Sequence, residues 1–225
     1  MKSSDGLVKL KGIGLLFGPP GTGKTHTAAE IIMEWAHQNQ AKERLGAIFV
    51  VATSNVAVDA LMLKVIALLG KARIRVNMGR LSSRTHSDNI RNQPVLRGYD
   101  ILQQVWEERK QMQAEESTKM GDPDGVDDLS DFIDGSSMDL QTKNWMRQRM
   151  ILKASQLQII FTTVALAGST ILKGINMIQL LMEESGATPE YATVPSLARN
   201  PDTALLVGDF IQLEPVIICP EVKYD

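Results

Sequence analysis

A single cysteine, Cys219, leaves this 225-residue chain without a disulfide framework and without a cysteine-based zinc site. The absence of disulfides points to a reducing compartment, cytoplasmic or nuclear. No apolar run approaches the roughly 18–20 residues of a membrane span, and the amino-terminal stretch MKSSDGLVKLKG has no signal-peptide core, so no membrane partner is expected. There is no internal repeat. What is present is ordinary for a soluble globular protein: 44% hydrophobic and 22% charged residues, in a chain long enough to bury a proper core.

The net charge of −2 conceals two opposed segments. Residues 71–97 hold seven lysines and arginines against Asp88 alone, a net of +6, and form a candidate phosphate-binding stretch. Residues 115–134 hold eight carboxylates against Lys119, a net of −7. The acidic stretch is rich in turn formers and poor in large apolar side chains, so it reads as a loop. Its Asp-x-Asp-Gly start is not a calcium loop, because the glycine is misplaced and no glutamate closes it.

Apolar runs alternate with helical patterns along the chain. Runs at 12–17, 46–53, 157–163, 177–182 and 203–209 read as buried strands, and 73–79 as an edge strand. Residues 25–38 space Ala28, Ile31, Ile32 and Trp35 as a helix does, and 55–70 is a second helix stopping at Gly70. Residues 190–200 form a short helix. The stretches 99–120 and 139–154 read as a helical hairpin around the acidic loop, with Ile101, Leu102 and Val105 facing Met146, Met150 and Leu152. Trp35, Trp106 and Trp145 read as packing residues. The alternation predicts an α/β fold, a parallel sheet with helices on both faces and the hairpin inserted in it.

Between the first strand and the first helix lie Gly18, Pro19, Pro20, Gly21, Thr22, Gly23, Lys24 and Thr25. This is G-x-x-x-x-G-K-[ST] in its required strand–loop–helix setting. Glycines let backbone N–H groups curl around a phosphate at the positive end of the following helix. Lys24 then reaches the β- and γ-phosphates, and Thr25 offers its hydroxyl to Mg²⁺. The pattern predicts a P-loop NTPase that binds a nucleoside triphosphate with Mg²⁺.

Three further stretches narrow the class. The P-loop followed by VVATSNVAVDAL (50–61), IIFTTVALAGS (159–169) and GDFIQLEPVI (208–217) resembles, in order, four motifs of superfamily 1 helicases of the nonsense-mediated-decay RNA helicase and senataxin type. AAA-type ATPases share the P-loop but are not expected to carry SNVAVD or GDxxQL. The resemblance covers residues 12–217 and implies a RecA-like domain.

The second carboxylate motif departs from the family's DEASQATEP. Aligned without gaps, Glu183 replaces the metal-side aspartate, Glu184 keeps the catalytic glutamate and Ala187 replaces a glutamine. An alignment shifted by one would put Met182 at the metal position and Glu183 at the catalytic one. The gapless alignment is preferred, because Glu190 then meets the family's later glutamate and apolar residues precede the pair. The resemblance implies that Thr25 and Glu183 hold Mg²⁺, Glu184 orients or deprotonates the attacking water, and Gln212 senses the γ-phosphate, with Asp209 beside the nucleotide. It places Ser54, Asn55 and Thr163 on the side of single-stranded RNA or DNA, where small polar groups grip phosphates. Ser54 and Asn55 also suit a helix N-cap, and Asp59 reads as a helix-surface residue.

Fewer than ten residues follow the last motif, so the expectation is a first motor domain whose second RecA-like domain, with its arginine fingers, lies outside the sequence. Two functions remain: the ATP-binding motor domain of an ATP-dependent RNA or DNA helicase, or a degenerate P-loop module that binds nucleotide without turnover.

Overall fold

The computed structural model describes residues 12–72, 74–91, 93–120, 139–209 and 211. Six strands form one parallel sheet: β1 (Gly12–Phe17), β2 (Ala47–Ala52), β3 (Met78–Leu81), β4 (Ile159–Thr163), β5 (Met177–Glu183) and β6 (Thr203–Gly208). Their spatial order is β1-β6-β5-β2-β4-β3.

Alternation along β2 sorts the core into two layers. Ile48, Val50 and Ala52 point to one face, where α1 (Lys24–Ala41) and α2 (Asn55–Ala72) pack with Ala28, Ile32, Leu61 and Val65. The short helices α3 (Arg84–Arg91) and α4 (Pro94–Arg97) add Ile90 and Leu96 to this layer. Ala47, Phe49 and Val51 point to the other face. That face is covered by α5 (Ile101–Met120), α6 (Leu140–Ser155), the single turn α7 (Val164–Ala167) and α8 (Glu190–Leu197). The two continuous apolar layers explain why the central strands read as unbroken hydrophobic runs. This is the RecA-like P-loop architecture.

Several expectations shift. The run at 12–17 reads as buried on both faces, but β1 is a sheet edge, and Ile13, Leu15 and Phe17 are about half exposed. Gly70 does not stop α2, which continues to Ala72. The edge strand begins only at Met78, and residues 74–77 belong to no regular element. On α6 the inward positions are Met146, Met150 and Ala154, one helical face at i, i+4 and i+8, while Leu152 is 48% exposed. Asp139 caps α6, accepting the Thr142 N–H at 2.6 Å. Trp106 is buried in the α5–α6 layer, and the Arg109 and Arg149 guanidiniums lie 5.7 and 6.0 Å from the Trp145 ring centre. The acidic loop over 121–138 and Gln212 lie outside the described residues.

Candidate nucleotide and nucleic-acid site

All parallel strands point the same way, so the loops after their carboxyl ends share one rim, where open α/β sheets bind ligands. The ladder sets the level: Ala52 of β2 pairs with both Glu183 of β5 and Thr163 of β4, and Phe17 of β1 with Gly208 of β6. The P-loop leaves β1 on this rim. Gly21 and Gly23 hold φ of 78° and 88°, a left-handed backbone that only glycine adopts without strain, and they turn the loop into the first N–H groups of α1. Lys24 Nζ donates to the carbonyl oxygens of Gly18 at 2.6 Å and Pro19 at 2.9 Å, so the ammonium lies over the loop it belongs to. Thr22 closes the loop by donating to the Pro19 carbonyl at 2.8 Å.

Thr25, in the first turn of α1, donates its hydroxyl to Glu183 Oε1 at 2.9 Å. Glu183 ends β5 and is buried; its second carboxylate oxygen, Oε2, is buried with no hydrogen-bond partner among the described residues. Burial pushes the Glu183 carboxyl above its ordinary range, as does the charge of Glu184, against the opposing pull of Thr25 and Lys24. A hydroxyl facing a carboxylate with an orphaned oxygen is an oxygen donor set that fits Mg²⁺, a hard cation that takes one or two carboxylates and keeps water. Among the described residues no cluster of three or more His, Cys, Asp or Glu offers another metal site.

Glu184 follows with φ 56° and ψ 33°, a left-handed conformation that a non-glycine residue holds only at a cost. Its carboxylate reaches the end of β2. Oε2 accepts from the Ser54 hydroxyl at 3.2 Å and lies 3.5 Å from the Thr53 hydroxyl. Ser54 also caps α2, accepting the Ala57 N–H at 3.1 Å, so the cap and the link to Glu184 coexist in one hydroxyl. Asp209 follows β6 and accepts the Ile211 N–H at 3.0 Å. Gly186 packs so closely against Asp209 that an added methyl carbon there would lie 2.6 Å from the Asp209 carbonyl oxygen. Thr163 closes β4 and is 9% exposed.

Asp59 is not a surface residue. It is buried and joins Arg80, whose Nε donates to Asp59 Oδ1 at 3.0 Å, and His86, whose Nε2 lies 2.7 Å from Asp59 Oδ2. Arg80 is fully buried, donating also to Asn55 Oδ1 at 2.7 Å and to the Leu81 carbonyl at 2.7 Å. Burial lowers the Arg80 pKa, opposed chiefly by the hydrogen bond and charge of Asp59. Asn55 is thus held by an arginine, and its position is fixed from below. Alongside, the buried Asp100 accepts from the hydroxyls of Ser82 and Ser87, the latter at 2.9 Å, and from the Gln103 N–H at 2.9 Å at the start of α5. The basic segment is therefore not one phosphate-binding face: Arg80 is internal and Arg97 is paired with Glu107. The missed signal was spacing, since Asn55, Asp59 and the buried Met62 fall on one face of α2 at i, i+4 and i+7.

The sheet, the P-loop and the carboxylate pair at the end of β5 define a P-loop nucleotide-binding domain. A family described as "AAA domain" matches residues 2–124 and 100–220, and the chain belongs to it, with the sequence character of superfamily 1 helicases of the nonsense-mediated-decay type. It is 31% identical over 220 residues to a regulator of nonsense transcripts 1 homolog of Arabidopsis thaliana, covering 93% of this chain and 15% of that one. It is 28% identical over 231 residues to DNA polymerase alpha-associated DNA helicase A of Schizosaccharomyces pombe, covering 92% and 30%. It is 25% identical over 222 residues to ATP-dependent helicase upf1 of the same yeast, covering 94% and 21%. The chain thus spans between 15% and 30% of the length of these relatives. No helix among the described residues is long and apolar enough to cross a membrane.

Proposed function

We propose that this chain is the ATP-binding first motor domain of an ATP-dependent RNA or DNA helicase, in which NTP hydrolysis drives movement on a single strand. The observation that carries the reading is the 2.9 Å contact from Thr25 to Glu183, which brings the P-loop helix against the carboxylate pair from 158 residues away. On this reading Gly18 to Thr25 hold the triphosphate, the backbone N–H groups and the Lys24 ammonium facing its oxygens. Thr25 and Glu183 hold Mg²⁺, which when bound neutralises charge on the β- and γ-phosphate oxygens. Asp209 sits beside the nucleotide. Glu184 orients the attacking water and takes its proton, and Gln212 senses the γ-phosphate. Ser54, Asn55 and Thr163 face the nucleic acid. The paired helices α5 and α6 form a stalk-like insertion, and a second RecA-like domain supplies the arginine that stabilises the transition state. The setting is cytoplasmic or nuclear.

The alternative, a nucleotide-binding module without turnover, draws support from Glu183, where burial favours the neutral acid over the metal-binding carboxylate. An ATPase assay on the chain, with and without single-stranded RNA or DNA, tests the reading. An arginine finger is worth about 10³–10⁵ in rate, so slow turnover is expected from this domain by itself. Brisk turnover stimulated by nucleic acid would show that the chain needs no second domain. Turnover unchanged in Glu184→Gln would remove Glu184 from the chemistry.

A further inference from the structure

The sheet order divides the rim in two. The carboxyl ends of β1, β6 and β5 carry the P-loop, Asp209 and the carboxylate pair, and those of β2, β4 and β3 carry Ser54 and Asn55, then Thr163, then Ser82. On the second half a fully buried guanidinium stands behind Asn55. Arg80 Nη2 donates to Asn55 Oδ1 at 2.7 Å, its Nε to Asp59 Oδ1 at 3.0 Å and its Nη1 to the Leu81 carbonyl at 2.7 Å. Asn55 and Asp59 are one turn apart on α2, so a single side chain from β3 grips both. The other Asp59 oxygen lies 2.7 Å from His86 Nε2 on α3, which anchors the carboxylate from a third element. A guanidinium has donors and no acceptor, so the Asn55 atom that meets it is the amide oxygen. The amide nitrogen of this half-buried residue has no acceptor among the described residues.

We propose that Arg80 is a positioning residue for Asn55: it holds the amide oxygen inward, so that the side chain offers the strand an N–H donor, and Asp59, anchored by His86, holds Arg80 in turn. The inference rests on the motor-domain reading above, in which Asn55 meets nucleic acid. A phosphate oxygen accepts and never donates, so only the nitrogen end of an amide suits it. An unheld Asn55 would turn its oxygen to a phosphate in about half of its orientations, and binding would have to order the side chain first. The ion pair itself is not what a core requires. Apolar side chains of similar volume often stabilise a core as well as a buried ion pair does, and what they lack here is a donor for Asn55. Arg80 touches no strand, since it has no exposed surface.

The test is a mutant cycle in the binding of fluorescent oligo-dT and oligo-U, run on the wild type, Asn55→Ala, the pair variant Arg80→Met/Asp59→Asn, and their combination. The pair variant keeps the net charge, so the long-range attraction for a strand is unchanged. Asn55→Ala loses an N–H to a charged oxygen and is expected to raise Kd about 10-fold. The pair variant frees the Asn55 side chain and is expected to raise Kd roughly 2–10-fold. Added to Asn55→Ala, the pair substitution is expected to change Kd by less than about 2-fold, because no amide is left to hold. A packing role would weaken binding by the same factor in both backgrounds. A second measurement leaves Arg80 untouched. The Asn55 side-chain amide gives nitrogen–proton NMR cross-peaks, identified by their absence from Asn55→Ala, and these are expected to move when oligo-dT is added to the wild type. If the pair variant fails to fold, the amide peaks decide. Equal losses in both backgrounds, no loss in Asn55→Ala or in the pair variant, or amide peaks unmoved under a bound strand would overturn the inference and leave the motor-domain reading in place. A wild-type chain that binds neither probe at low salt would remove the nucleic-acid reading and the inference with it.

Discussion

The Ser54 hydroxyl donates to Glu184 Oε2 across 3.2 Å, joining the end of β2 to the end of β5 where the two halves of the rim meet. The same oxygen accepts the Ala57 N–H and so caps α2. Ser54→Ala removes both contacts and is expected to lower the unfolding free energy by about 1 kcal/mol, the usual worth of a cap. Ser54→Thr keeps a hydroxyl in place and regains most of that loss. Urea denaturation checks the pair; an equal loss in both variants would mean that the hydroxyl is not what stabilises this junction.

On the proposed reading, Glu183 meets opposite demands in the free and the nucleotide-bound protein. Its folded pKa is raised above the ordinary 4.5, chiefly by burial, so the native state keeps a proton that the unfolded chain has already lost. Stability from this group therefore falls as pH rises from 4.5 through the raised folded value. Glu183→Gln is expected to raise the melting temperature of the free protein, by roughly 2–4 °C for each kcal/mol relieved, and to flatten its pH dependence above 4.5. The same variant should lose the further rise that Mg²⁺ with an ATP analogue gives the wild type. A lower melting temperature without ligand would show that the Thr25 contact outweighs burial.

The buried Arg80 depends on its partners. Asp59→Ala leaves a guanidinium with no exposed surface to Asn55, a carbonyl and the charge of Asp100, and breaking such a pair from one side costs about 3–5 kcal/mol. Equilibrium denaturation measures it. Arg80→Met, with Asp59 still against His86, is expected to cost less. A loss below 1 kcal/mol in Asp59→Ala would mean that water or a rearranged side chain replaces the pair.

How much the sequence discloses depends on the range of the interaction. The P-loop is local, eight consecutive residues between a strand and a helix, and its strand–loop–helix setting was legible. The pairing of Thr25 with Glu183 followed from resemblance, because no local pattern links residues 158 apart. The Asp59–Arg80–His86 contact was not legible: it joins α2, β3 and α3, and a lone arginine in a short apolar stretch looks like any surface cation. The exposure of β1 was hidden for a related reason. An apolar run states what a strand can bury, whereas its neighbours decide what it does bury.

The helices α5 and α6 share one apolar layer through Val105, Trp106, Met146 and Met150. Deleting residues 121–138 while keeping the Asp139 cap, and joining the helices by a short flexible linker, is expected to leave the melting temperature nearly unchanged. Loop closure depends only weakly on length, about 0.6 kcal/mol for each doubling. A large drop would mean that the acidic stretch packs on the domain.

The central claim is that residues 18–25 hold a nucleoside triphosphate, and binding of a fluorescent ATP analogue in the presence of Mg²⁺ tests it most directly. Lys24 Nζ lies over the Gly18 and Pro19 carbonyls and is placed to exchange those contacts for phosphate oxygens. The wild-type chain is expected to bind saturably and in a Mg²⁺-dependent manner, and Lys24→Ala to lose that binding while melting as a folded protein. Unchanged affinity in a folded Lys24→Ala variant would contradict the account.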